Sequence, residues 1–188
     1  MMSEPSVRAS VVVTFLRMDR PPAEPAPKLP DGMRVRREPD CTVATYRWLY
    51  DQIGSEYLWW LRRTMPDRQL AALLRHPAIS IYLLEEADGR VAGFFELDAS
   101  SWPSVNLNYF GLMPHAIGRG LGLVFLRAAV DEVWRRGAQA MTVNTCTADH
   151  PRALPTYMKA GFQTVRALRE DWDIPVRLGL TVPERLRA

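Results

Sequence analysis

Lysine is nearly absent from this chain: Lys28 and Lys159 are the only two, and arginine supplies the rest of the 24 basic residues. Set against 21 acidic residues they leave a net charge of +3. The two signs are interspersed, with no basic run and no basic helix face, which argues against a nucleic-acid surface. Cysteine is equally scarce. Cys41 and Cys146 are far apart and make no disulfide framework, so a reducing, cytoplasmic compartment is expected. A metal centre wants three or four ligands. Cys146 and His150 stand four apart, but His76 and His115 add no CxxC or HxxxH spacing, so no metal is expected. A small, inert Cys on a strand is the simpler reading of Cys146 than a nucleophile. The apolar run Val11–Leu16 is too short to span a bilayer and runs at once into Arg17, Asp19 and Arg20. With no small-residue cleavage site after it, neither a membrane association nor a signal peptide is expected. What remains is ordinary for a globular chain: 188 residues, 47% hydrophobic and 24% charged, enough for one domain with its own core.

The most informative segment is Leu107-Asn-Tyr-Phe-Gly-Leu-Met-Pro-His-Ala-Ile-Gly-Arg-Gly-Leu-Gly122. A strand-like stretch enters a glycine loop, and the loop enters an amphipathic helix. Gly118, Gly120 and Gly122 let the backbone curl tightly and strip Cβ atoms from its inner surface. The freed N–H groups then converge at a helix N-terminus, where the dipole favours anions. A phosphate or pyrophosphate suits such a loop. The dinucleotide fingerprint does not fit, because the third glycine comes one residue too soon, and a P-loop would need a lysine that is missing.

The loop resembles the Arg/Gln-x-x-Gly-x-Gly/Ala motif of the GCN5-related N-acetyltransferase (GNAT) superfamily, reading here Ile117-Gly-Arg-Gly-Leu-Gly122 with Ile117 in place of the usual Arg or Gln. A second segment, Val143-Asn-Thr-Cys-Thr-Ala-Asp-His-Pro-Arg-Ala-Leu-Pro-Thr-Tyr-Met-Lys-Ala-Gly-Phe162, resembles the same superfamily's Asn-x-x-Ala-x-x-x-Tyr-x-x-x-Gly-Phe. Ala153, Tyr157, Gly161 and Phe162 match, and His150 replaces the Asn. The two motifs stand in the family's order, one helix apart, across roughly residues 105–163.

Periodicity and turn residues give the element order. Residues 1–9 read as a tail and Val11–Met18 as a strand. Pro21–Pro30 reads as a stiff connector that lays the extra strand on the surface or on a partner chain. Residues 1–30 are thus separated from a single domain over 31–188. Gly32–Glu38 gives the first strand of the main sheet. Residues 40–76 are helical in pattern, and Ile79–Leu84 and Val91–Leu97 form a hairpin about Asp88-Gly89. Val105–Met113 is a strand. Helix 121–136 buries Leu121, Val124, Phe125, Ala128 and Val133 and ends at Gly137. Met141–Thr145 is a strand. Pro155 makes the next helix start late or bend. Gln163–Ala167 and Trp172–Leu180 close the sheet. A hairpin followed by a strand–helix–strand crossover predicts a mixed α/β sheet. The GNAT resemblance implies the same: a mostly antiparallel, twisted central sheet with helices on both faces and splayed central strands that admit the cofactor arm.

The resemblance implies acetyl-CoA as co-substrate and a primary amine of a small molecule or peptide as acceptor. By family position, the backbone of Leu112 and Met113 should meet the pantetheine where the strand bulges. The loop Ile117, Gly118, Arg119, Gly120, Leu121 and Gly122 should hold the pyrophosphate, with Arg119 adding charge and Asn144 reaching a pantetheine amide. Tyr157 occupies the acid position. The family's glutamate position holds Asn106, so Glu96, in apolar surroundings on the neighbouring strand, is the candidate base, with Asp98 as its alternative. The aromatic cluster Tyr46–Tyr50 and Tyr57–Trp60 reads as core or homodimer face, or as an acceptor wall. A non-catalytic acyl-CoA-binding module and a dimerising protein of the same fold stay open beside the enzyme.

Overall fold

In the computed structural model, which describes residues 4–188, the chain begins with a long strand, β1 (Ser6–Met18), and reaches β2 (Arg34–Arg37) through the proline-rich connector. Three helices follow: α1 (Val43–Gly54), α2 (Leu61–Thr64) and α3 (Asp67–Leu74). Then come β3 (Ile79–Glu85), β4 (Val91–Asp98), β5 (Ser104–Leu112), α4 (Leu121–Arg135), β6 (Ala140–Cys146), α5 (Ala153–Ala160) and β7 (Gln163–Pro175). One sheet takes all seven strands in the order β2-β3-β4-β5-β6-β1-β7, antiparallel except for β5 against β6. Among the described residues no helix is long and apolar enough to cross a membrane.

The period of two sorts each strand's side chains onto two covered faces. From β3, Ile79, Ile81 and Leu83 join Tyr46, Leu49 and Leu70 of α1 and α3. Tyr82 and Leu84 point the other way, toward Phe95 and toward Phe125 of α4. All of β3 is therefore buried, and its sequence is mostly apolar on both faces, with Ser80 and Glu85 as the polar exceptions. Each large apolar side chain taken from water contributes roughly 1.5–3 kcal/mol.

Local chemistry sets the helix ends. Thr42 caps α1 by accepting the Thr45 N–H at 3.1 Å. Helix α5 starts after Pro151, at Ala153, which leaves Pro155 in the first turn where its missing N–H costs no helical bond. The buried stripe of α4 runs through Leu121, Phe125, Leu126, Ala129, Val130 and Val133. Val124 and Ala128, expected inside, are half-buried on its flank.

The N-terminal strand departs from expectation. Strand β1 starts at Ser6, inside the expected tail, and lies within the sheet: it pairs with β7 along its length and with β6 from Val13↔Cys146 to Met18↔Met141. The expected pair of closing strands is one strand, β7. The connector crosses the α4–α5 face, tied down by a hydrogen bond from the buried Arg127 to the Glu24 carbonyl and by Leu29 and Met33 against the core.

Candidate active site

Strands β5 and β6 pair only from Ser104↔Ala140 to Leu107↔Val143. Beyond that β5 follows β4 as far as Leu112 while β6 follows β1 as far as Cys146, and the two separate. A cleft of about 1070 Å³ occupies the gap. The separation begins at a bulge. Glu96 pairs with Tyr109 but Leu97 with Leu107, so Asn108 is the extra residue on β5. The bulge was expected at Leu112–Met113, five or so residues further on.

One end of the cleft is the glycine loop. Gly118 (φ +83°) and Gly120 (φ +76°) both take the left-handed conformation that L side chains resist. A Cβ on Gly118, Gly120 or Gly122 would meet nothing within 4 Å, so the inner surface of the loop is open. No side chain caps α4. Its first N–H groups thus have no partner within the helix and are free for an anion. Along β5, Met113 N–H bonds Ala92 O at 2.8 Å and Met113 O accepts from Ala116. By the alternation of an antiparallel pair, Leu112 then turns its backbone N–H and C=O away from β4, toward the gap. Leu112, Ile117, Gly118, Gly120, Leu121 and Gly122 line the cleft, as do Asn144 and Tyr157. Met113 and Arg119 do not. Both backbone groups of Met113 are spent inside the protein, and the Arg119 guanidinium is drawn off to Glu86.

Tyr157 projects from α5 with its ring edge-on to Phe110 and Phe162. Burial pushes its phenol up and the charge of Asp149 adds to the shift, so the proton is held firmly at neutral pH. Across the gap the wall is aromatic. Tyr109, alternating with Phe110, faces the other side of the sheet against Tyr50 and Trp59. Arg62 stacks over the Tyr109 ring at 5.3 Å.

Glu96 is fully buried and is not among the residues lining the cleft. It accepts from Tyr46, from Arg62 Nη2 at 2.7 Å and from Asn108 Nδ2 at 2.8 Å. The pair with Glu96 keeps Arg62 charged although burial opposes it. Asp98 also stays away from the cleft, its carboxylate accepting from the Ser100 amide at 2.8 Å. Burial pushes the Cys146 thiol up to about 12, with Asp149 adding to it, so it is no thiolate at neutral pH.

Several residues of the site went unread in the sequence. Arg62 and Tyr109 gain meaning only through tertiary contacts, of Arg62 in α2 with Glu96 and with the Tyr109 ring on the sheet. Glu170 and Trp172 of β7, joined by an indole–carboxylate hydrogen bond of 2.9 Å, and Val13 and Phe15 of β1 reach the cleft because β1 lies inside the sheet. Asp149 had one visible signal, an acid between the end of a strand and the start of a helix.

Residues 43–162, more than half of the chain, match the model of the acetyltransferase (GNAT) family, and the chain belongs to that family. Among solved structures it is similar to a GCN5-related N-acetyltransferase from Sphaerobacter thermophilus, with 23% identity over 92% of this chain and 53% of that one (TM-score 0.58). It is also similar to a tandem GNAT protein from the clavulanic acid biosynthesis pathway (15% identity, 90% and 55%, TM-score 0.60) and to a GCN5-related N-acetyltransferase from Kribbella flavida (15%, 90% and 60%, TM-score 0.60). At these identities the likeness is one of fold, and the chain spans little more than half the length of these structures. No curated protein matches.

Proposed function

We propose that this chain is an acetyl-CoA-dependent N-acetyltransferase acting on a primary amine of a small molecule or peptide. The observation that supports it most is one cleft, opened by the parting of β5 and β6, with an open glycine nest at one end and the Tyr157 phenol within it. The nest fits a pyrophosphate: two glycines have left-handed φ, no Cβ would fill the cradle, and uncapped helix N–H groups point at it. The backbone of Gly118–Gly122 would hold the pyrophosphate, and the outward-turned Leu112 N–H and C=O would hold the pantetheine amides. When bound, acetyl-CoA supplies an activated acyl group. The protein's part is to hold a neutral amine against the thioester and to protonate the departing sulfur. Tyr157, its proton kept on by burial, serves as that acid. In place of the base expected of Glu96, we assign it the positioning of Arg62, since its hydrogen bonds fix the guanidinium at the edge of the aromatic wall.

A second reading, an acyl-CoA-binding module without turnover, draws on the same fact: the carboxylate expected to act as base is engaged by Arg62. Free-thiol release from acetyl-CoA with a panel of primary amines separates the two. Amine-dependent thiol release supports the enzyme. Tight acetyl-CoA binding without release supports the module.

A further inference from the structure

With Glu96 engaged by Arg62 away from the cleft, the acceptor amine needs another group to receive its charge. We propose that Asp149 is the catalytic base, receiving the ammonium of the acceptor and taking its proton, while the aromatic wall around Tyr57, Trp59, Trp60 and Trp172 selects an amine carried on an apolar or aromatic body. The inference rests on the acetyltransferase reading above.

The geometry carries it. Asp149 follows β6 by three residues and lines the cleft together with Tyr157. Two hydrogen bonds end on its Oδ2, from Thr145 Oγ1 at 2.6 Å and from Cys146 N at 2.9 Å, and the Trp59 indole also engages the carboxylate. One edge of the carboxylate is thereby anchored to the strand end. Aromatic residues line the same cleft: Tyr57 stands edge-on to the adjoining His150 at 6.2 Å, and Trp59, Trp60 and Trp172 are among the lining residues. A cleft that combines a carboxylate with aromatic rings suits a cation carried on a flat apolar body. Burial pushes the Asp149 carboxyl up, opposed by Thr145, Cys146 and Trp59, which brings it closer to the range useful in a base.

The step balances. Asp149 takes one proton from R–NH₃⁺ and later passes it to solvent. The nitrogen lone pair forms the C–N bond to the acetyl carbonyl carbon, and the C–S bond breaks with its electron pair left on sulfur. The nitrogen gives up a second proton, and Tyr157 delivers one to the sulfur and is itself reprotonated. The sum is R–NH₃⁺ plus acetyl-CoA to the acetamide, free CoA and one proton.

The test compares two acceptors of similar shape, phenethylamine and O-benzylhydroxylamine. The first is an ammonium at neutral pH and the second is already neutral. For Asp149→Asn, whose amide oxygen can still accept from Thr145 and Cys146, kcat/KM for phenethylamine should fall at least about 100-fold. The rate with O-benzylhydroxylamine should change only a few-fold, and acetyl-CoA affinity by calorimetry should be unchanged. If the Asn variant does not fold, Asp149→Ser serves the same comparison. Equal losses with both acceptors would overturn the base and leave a structural role. Full activity with phenethylamine would also overturn it and leave the acetyltransferase reading standing. A wild-type protein that binds acetyl-CoA yet acetylates no amine would overturn both.

Discussion

At the scale of single residues, two buried polar side chains separate chemistry from architecture. Tyr157 has a phenol at the cleft and a ring packed on Phe110 and Phe162. Tyr157→Phe keeps that packing, so melting temperature and acetyl-CoA affinity should hold while turnover falls about 10²–10⁴-fold, because the hydroxyl acts only as sulfur departs. Parallel losses of melting temperature and activity would mark a packing residue instead. Glu96 should behave in the opposite way. Removing one partner of a buried ion pair strands the other, at a cost of about 3–5 kcal/mol. In a chain of this length Glu96→Ala should then lower the melting temperature by roughly 6–20 °C. A variant that melts like the wild type but is slow would restore Glu96 as the base. The sequence pointed to Glu96 because its neighbours Phe94, Phe95 and Leu97 are apolar. Apolar context foretold its burial, but Arg62, which neutralises it, lies 34 residues earlier and is brought there only by tertiary packing.

At the scale of elements, the glycine loop and the N-terminal strand show what a sequence reveals and what it conceals. Left-handed positions favour glycine, so Gly118 and Gly120 were legible as a nest, and Pro155 foretold the late start of α5. Gly120→Asp would place a side chain at φ +76° and a negative charge in the glycine nest proposed to hold the pyrophosphate. Calorimetry should find no acetyl-CoA binding by a variant that still folds, and unchanged affinity would remove the loop from the site. The place of β1 was not legible. Its alternation marks a strand, but nothing local says which strands it joins. Its pairing with Leu168–Trp172 and Thr145 was decided by contacts more than 100 residues apart. Because β1 fills the slot between β6 and β7, Val13→Asp would put a charge at a buried position of the sheet. Loss of cooperative thermal unfolding is expected, and a native melting curve would show that β1 is dispensable.

At the scale of the whole molecule, acid sensitivity follows from carboxylates held low by arginines. Hydrogen bonds from Arg135, Tyr82 and Arg136 pull Glu132 from its ordinary 4.5 to about 2, outweighing burial. A depressed folded-state value means the stabilisation is complete above about pH 4.5 and is lost as pH falls toward 2. Urea unfolding of Glu132→Gln should give a shallower fall in stability over that window than the wild type, and identical slopes would exclude this network as a source. Fold class, strand order through the β3–β4 hairpin and the glycine-loop end of the cleft were all readable from local signals. The other end of the cleft was not, because its residues come from β1, α2, β5, the β6–α5 turn and β7 at once. The proposed reaction is acetyl transfer inside the β5–β6 cleft. Mass spectrometry of phenethylamine incubated with acetyl-CoA and the wild-type protein, alongside free-thiol release, tests it most directly. The N-acetyl product should form in step with thiol, and both should be absent with Gly120→Asp. Thiol release without acetylated amine, or product formation unaffected by Gly120→Asp, would contradict it.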